Sequence, residues 1–287
     1  MLFRSLDLID DGSNWQEIVT LARAVEEAGI DAINTGIGWH EARIPTIATL
    51  VPRGGFTFVT KKLMGEVHIP LITTNRLNTP DACEQTLREG CADMVSMARP
   101  FLADSHIVEK ARQEKSDEIN TCIGCNQACL DHVFKRKVAS CLVNPRAAHE
   151  DHWPIDHRTN EPKKVAVVGA GPAGMSAATE LARMGHLVHL FEQSSAIGGQ
   201  FNMAKKIPGK EEFHETLRYF QRQIELLKVH VHLNTTAEVN RLSDFDHVIL
   251  ATGVVPRVWS IPGSNRENVL SYVDVLHGER SEEHTSE

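Results

Sequence analysis

The stretch that most restricts how this chain can fold is Gly169-Ala170-Gly171-Pro172-Ala173-Gly174, placed directly after the apolar run Val165-Ala166-Val167-Val168. The run reads as a buried strand, and Ala173–Met184 as the helix that the glycines open. Each glycine in such a turn has a mechanical reason. The first makes the tight bend, the second lets backbone approach a pyrophosphate, and the third lets helix pack on strand. The phosphates then lie at the helix N-terminus, where unpaired N–H groups point at them. A second strand is expected over Val188–Glu192, and Glu192 at its end is placed to accept from a ribose hydroxyl. Together these features predict a parallel α/β unit built to bind a dinucleotide. Glu192 also disfavours a 2′-phosphate at this position, because like charges repel.

Further signals follow in the same half. Gln193 adjoins the acid, Gly198-Gly199-Gln200 lies just beyond, and Val248-Ile249-Leu250-Ala251-Thr252-Gly253 reads as a strand running into a small-residue turn. That pairing resembles the FAD-binding half of two-dinucleotide flavoprotein reductases. The resemblance assigns Gly169, Ala170, Gly171, Ala173, Gly174, Glu192, Gln193, Gly199, Gln200, Thr252 and Gly253 to FAD. No second glycine fingerprint follows in this sequence.

Upstream stand Cys122, Cys125, Cys129 and Cys141, in the pattern C-x2-C-x3-C-x11-C. Cysteines spaced in this way on a tight loop can aim several thiolates at one centre, and soft thiolates suit iron–sulfur clusters or zinc. A redox-cofactor fold directly downstream favours iron, since zinc carries no electrons; structural zinc and unligated thiols are the alternatives. Cys83 and Cys91 read as plain structural thiols.

The first part of the chain alternates helices and short strands. Helices are expected over Trp15–Ala28, Phe58–Met64, Asp81–Glu89 and Ala103–Gln113. Strands are expected over Asp31–Thr35, Ile69–Thr73 and Asp93–Met97, with a remnant at Leu6–Ile9 and a long loop from Gly36 to Gly55. This order implies a parallel sheet, too short for a closed barrel but enough for the last units of one. Arg76 and Arg99 follow successive strands, where loops of such a barrel often hold a phosphate, and together they argue for an FMN phosphate. His40 lies beyond the strand end at Thr35, on the edge where barrel catalysts sit.

The fold class expected is therefore α/β: the C-terminal part of a (β/α)8 FMN barrel, a cysteine-rich 4Fe-4S loop, and a Rossmann-like FAD-binding half-domain. The corresponding bounds are 6–115, 116–160 and 161–278. A length of 287 residues suits about two domains. A net charge of −8 argues against a nucleic-acid or anionic-membrane surface. No long apolar run suggests a span, no secretory h-region is seen, and the cysteine usage fits a cytoplasmic protein. Residues 1–5 and 279–287 fit poorly with their neighbours, the tail being polar and pattern-free, and both read as translations of a common sequencing adapter in opposite senses. The natural sequence is then expected to run from about Leu6 to Gly278, cut at both ends. Open sheet edges make poor solubility the expectation for this chain alone.

Three stretches in this order, Asn34-Thr35-Gly36-Ile37-Gly38-Trp39-His40-Glu41-Ala42-Arg43, Thr121-Cys122-Ile123-Gly124-Cys125-Asn126-Gln127-Ala128-Cys129 and the glycine fingerprint, resemble the bacterial NADPH-dependent 2,4-dienoyl-CoA reductase family. That family belongs to the old yellow enzyme and trimethylamine dehydrogenase group. The resemblance implies FMN, FAD and a 4Fe-4S cluster, with NADPH as co-substrate and an acyl-CoA as substrate. It makes His40 catalytic, gives Glu41, Ala42, Arg43 and Ile44 to the substrate, adds Ala98 to Arg76 and Arg99 at FMN, and matches the four cysteines to the cluster. The family's tyrosine proton donor and NADPH domain have no counterpart here, and Tyr219 and Tyr272 lie in the wrong domain to replace that donor. The full reaction is thus expected of a parent enzyme rather than of this chain. The alternatives are an enone reductase or amine dehydrogenase of the same group, a non-enzymatic electron-transfer module, and a zinc-stapled structural protein.

Overall fold

The computed structural model describes residues 12–36, 44–155, 157–257, 260–266 and 268–278, with the backbone of Leu2–Phe3. The chain divides into two compact units, Met1–Trp153 and Pro154–Glu287. The cysteine segment lies in the first.

In the first unit β1 (Leu2–Phe3), α1 (Trp15–Glu27), β2 (Ile33–Thr35), α2 (Thr57–Leu63), β3 (Leu71–Thr73), α3 (Pro80–Arg88) and β4 (Met94–Val95) alternate along the chain. The sheet order is β1-β2-β3-β4, every pair parallel, with Thr35 opposite Thr73 and Thr73 opposite Val95. Parallel neighbours follow from helical crossovers, which return the chain to the same end of the sheet. The expected strand at Leu6–Ile9 lies outside the described residues, and β1 occupies that edge instead. Helix α1 starts in a capping box: Asn14 accepts from the Glu17 N–H while the Glu17 carboxylate accepts from the Asn14 N–H. Its apolar face buries Ile18, Val19 and Ala22 against Ile33, Leu63, Val67 and Leu71. Burying one Val or Leu side chain stabilises by roughly 1.5–3 kcal/mol, so this stripe fixes the helix to the sheet.

Of the helix expected over Ala103–Gln113, Ile107–Arg112 forms α5, and a separate short helix, α4 (Arg99–Ala103), ends where the expected one was to begin. The break is at Asp104, whose buried carboxylate accepts from the backbone N–H groups of His106 and Asn120 and pairs with Lys110 at 2.6 Å. An aspartate that binds nearby backbone competes with the helix ladder. After a 3-10 turn at Ser116–Glu118 the chain enters the cysteine loop, which contains α6 (Leu130–Phe134).

The second unit contains β5 (Lys164–Val168), α7 (Pro172–Arg183), β6 (Leu187–Phe191), α8 (Phe201–Ala204), α9 (Phe213–Leu226), β7 (His230–His232), α10 (Val239–Leu242), β8 (His247–Leu250) and α11 (Tyr272–His277). Its sheet is parallel in the order β7-β6-β5-β8. Val167 and Leu190 pack with Met175 and Ala178 of α7 and Phe220 and Ile224 of α9 into one core. The strand order reverses between β5 and β8. Ligands of open α/β sheets bind at such a switch point, beyond the strand C-termini. Among the described residues no helix is long and apolar enough to cross a membrane.

Candidate functional site

In the second unit the switch point is made of glycine. Gly169 ends β5 with φ +102, and a Cβ there would lie 2.4 Å from the Ala251 carbonyl oxygen. The Ala251-Thr252-Gly253 turn therefore presses directly on the first glycine. A Cβ at Gly174 would lie 1.8 Å from the Gly169 oxygen, so the helix seats on the turn only without a side chain. Gly171 is the contrasting member, because a Cβ there meets nothing within 4 Å. It is the N-cap of α7, has no side-chain cap, and precedes Pro172. The first turn of α7 thus faces open space with its N–H groups free of a capping side chain, the arrangement that accepts a phosphate.

Two further segments close on this cradle. The Gly198 N–H donates to the Ala170 oxygen at 2.7 Å, and Gly199 approaches the Cα of Gly171. The Gln200 side-chain amide donates to the Val254 carbonyl at 2.8 Å, tying that turn to the segment after β8. Glu192 is only 7% exposed. Its carboxylate accepts from the Ala170 N–H at 2.8 Å and from the Ser194 N–H at 2.9 Å. It braces the glycine turn, a structural task that its spacing from the glycines did not announce. Ala173, Gln193, Thr252 and Gly253 stand on the exposed side.

In the first unit a cleft opens beyond the C-terminal ends of β3 and β4, lined by Asn75, Arg76, Ser96, Ala98, Arg99 and Cys122 among others. Asn75 and Arg76 are successive left-handed residues, φ 72 and φ 55. Non-glycine residues rarely adopt that region, and such strain concentrates at functional sites. Arg76 is buried, donating through Nε to the Val51 carbonyl at 2.7 Å and through Nη2 to the Thr49 carbonyl at 3.4 Å. Arg99, the first residue of α4, donates through Nη1 to the Ile47 carbonyl at 3.1 Å and to Asn126 Oδ1. Both arginines thus stand at the cleft as their strand-end phase implied, and each is steadied by the long loop before α2.

Behind this cleft Cys122, Cys125, Cys129 and Cys141 line one common pocket with Arg99, Ile123 and Leu142. Left-handed Gly124 and Asn126 fold the loop, and the Ser140 N–H donates to the Ala128 oxygen at 2.7 Å, bringing Cys141 back to the other three. Asn78 anchors the Cys122 carbonyl at 2.8 Å, and Asn120 anchors that of Val143 at 2.8 Å. Burial pushes the Cys141 thiol up to about 11, against backbone N–H groups of Val143 and Asn144 that favour the thiolate. Burial also raises Cys122, opposed by the Gly124 N–H and the Arg99 charge, and raises Cys125, opposed chiefly by the Gln127 N–H. Among the described residues no three Cys, His, Asp or Glu side chains converge on a point suited to a single metal ion.

Residues 3–118 match the family described as NADH:flavin oxidoreductase / NADH oxidase, and residues 163–284 match pyridine nucleotide-disulphide oxidoreductase. The chain combines these two oxidoreductase families. It is 38% identical over 268 residues to a metal reductase of Desulforamulus reducens, covering 91% of the chain and 40% of the relative. It is 34% identical to a bilirubin reductase of Mediterraneibacter gnavus, covering 92% and 42%. Among solved structures, a 2-naphthoyl-CoA reductase in complex with 2-naphthoyl-CoA matches with a TM-score of 0.91 at 33% identity, covering 98% of this chain and 43% of that one. The chain thus spans about two fifths of the length of these relatives.

Of the site residues read from the sequence, the structure brings together Arg76, Ala98 and Arg99 at one cleft and the four cysteines at one pocket. It gathers the glycines of the second unit at one switch point. His40, Glu41, Ala42 and Arg43 lie outside the described residues, and Ile44 is exposed. The reading of the sequence missed Asn126 and the carbonyls of Ile47, Thr49 and Val51. No side-chain pattern marks a backbone carbonyl as a ligand of arginine.

Proposed function

We propose that the protein carrying this chain is an NADPH-dependent 2,4-dienoyl-CoA reductase that converts its substrate to an enoyl-CoA. One observation carries the reading: Arg99 and Cys122 line both the strand-end cleft and the cysteine cavity, so an FMN-phosphate site and a cluster site share a wall. Similarity to a 2-naphthoyl-CoA reductase supports a thioester substrate. When bound, FAD, a 4Fe-4S cluster and FMN supply the electron path from NADPH to the conjugated double bond.

The residues divide these tasks. Arg76, Ala98 and Arg99 hold the FMN phosphate, and the bidentate donors of arginine suit that group. Cys122, Cys125, Cys129 and Cys141 ligate the cluster. Four thiols beside a flavin-type cleft suit an iron–sulfur centre, since zinc carries no electrons. The N–H groups of Gly124, Gln127, Val143 and Asn144 that favour the thiolates are the donors that tune such a centre. Gly169, Ala170, Gly171, Ala173 and Gly174, with Glu192, Gln193, Gly199, Gln200, Thr252 and Gly253, hold FAD. His40 is the catalytic residue beside the substrate, and Glu41, Ala42, Arg43 and Ile44 make the adjoining contacts.

Similarity to a metal reductase favours a second reading, in which the acceptor is not a thioester. Anaerobic reconstitution of the chain should give about four iron and four sulfide per chain, a yield abolished by Cys125→Ser; zinc without sulfide overturns the proposal. The longest gene product containing the chain should then oxidise NADPH with a 2,4-dienoyl-CoA. Turnover on ferric complexes with none on any acyl-CoA selects the second reading.

A further inference from the structure

We propose that Asn126 is a positioning residue that couples filling of the cysteine cavity to the phosphate-binding strength of the neighbouring cleft. The inference rests on the assignment of those two cavities given above. Asn126 stands between Cys125 and Cys129, within the ligand loop, and has no ligand atom of its own to offer a cluster of the kind cysteines bind. Its amide does something else. Oδ1 accepts from Arg99 Nη1 while Nδ2 donates to the Ile47 carbonyl at 2.9 Å, and Arg99 Nη1 donates to that same carbonyl at 3.1 Å. Three hydrogen bonds close a triangle, and its corners are the cysteine loop, the cleft rim and the loop that precedes α2.

The same loop is held twice more. Thr49 Oγ1 donates to the Gly124 carbonyl at 2.7 Å, and Arg76 takes the carbonyls of Thr49 and Val51. Alternate carbonyls at positions 47, 49 and 51 thus carry both cleft arginines, while two contacts tie the strap to the cysteine loop. The strap carbonyls thus help to hold both guanidinium groups at the cleft. The strap in turn is pinned by a loop whose geometry four cysteine ligands would lock.

Asparagine is the side chain this position requires. It tolerates the left-handed backbone at φ 62, and its amide supplies one donor and one acceptor at once. Aspartate keeps the Arg99 contact but sets an oxygen against the Ile47 carbonyl. Glycine keeps the turn and loses both bonds, so Asn126→Gly separates the clamp from the fold of the loop.

Coupling between sites is reciprocal, and typical values run from about 5-fold to 150-fold. FMN affinity of the full chain, read by flavin fluorescence, should rise at least about fivefold when iron and sulfide are loaded. Iron retained at equilibrium against a chelator should rise by the same factor when FMN is added. In Asn126→Gly both factors should fall to near unity with iron and sulfide content unchanged, and Asn126→Asp should show the same loss. Equal FMN affinity with and without iron, or full coupling in Asn126→Gly, overturns the inference while leaving the assignment of the cavities intact. A chain that loads no iron and sulfide at all overturns both.

Discussion

The two units build their proposed phosphate sites by opposite means. In the second unit the cradle is backbone: glycines remove Cβ atoms so that strand, helix and turn can close, and the helix terminus supplies the polarity. In the first unit the cleft is built from two arginine side chains, kept in place by carbonyls of a loop distant in sequence. A backbone cradle fails by steric intrusion within a few residues. A side-chain cleft fails when any of several remote supports is removed.

The largest expected effect tests the steric half of this contrast, inside a single motif. At Gly174 a Cβ would fall 1.8 Å from a backbone oxygen, and at Gly171 it would meet nothing. Gly174→Val should destabilise the second unit by about 3 kcal/mol or more, because an oxygen of the backbone cannot yield as a flexible side chain can. Thermal melting would show it. Gly171→Ala should leave the melt unchanged and weaken FAD binding by roughly tenfold, the worth of one charge-assisted backbone contact. If both substitutions destabilise equally, the division of labour among the glycines is wrong.

The same contrast explains what the sequence disclosed. The glycine cradle was legible because its physics is local: a strand, a bend that excludes side chains and a helix occur in one continuous stretch. The four cysteines were legible for the same reason, through spacing on one loop. Arg76 and Arg99 could be read only through their phase at successive strand ends, since they meet across the sheet. The clamp at Asn126 and the strap carbonyls left no trace, because their partners lie far apart in the chain and half of them are backbone atoms. Asp104 also passed unnoticed. Its neighbours look helical, and only its tertiary contacts with Asn120 and Lys110 reveal why the helix stops there.

A smaller effect should separate the units by acid. His189 Nδ1 and His232 Nε2 stand 2.9 Å apart on neighbouring strands, the rings nearly parallel at 6°, with His230 stacked on His189 at 4.7 Å. Burial, then the neighbouring histidines and Lys164, lowers the His189 value, and burial followed by Arg241 and His230 lowers that of His232. A depressed histidine favours the neutral form in the fold. Its contribution is present above the ordinary value of about 6.5 and is lost as pH falls through the folded value. The melting temperature of the second unit should therefore drop between pH 7 and pH 5. His189→Phe, which keeps the stack and removes a titrating ring, should flatten that slope.

The smallest effect lies at the other end of the pH scale and belongs to the first unit. Cys83 on α3 touches Met97 at the cleft through sulfur, at 3.9 Å. Burial, assisted by the nearby Glu84 charge, pushes its thiol up to about 11 from 9.0. A raised thiol favours the protonated form in the fold. Its contribution is complete below pH 9 and disappears as pH climbs from there to about 11, the reverse of the histidine case. Partial exposure to water screens the interaction and keeps the effect small. Alkaline melting of the first unit should become shallower in Cys83→Ala, while its acid limb and the melt of the second unit stay as they were. An unchanged alkaline slope would show that Cys83 sits in water well enough to titrate freely, and that the α3 face beneath the cleft is more open than its packing implies.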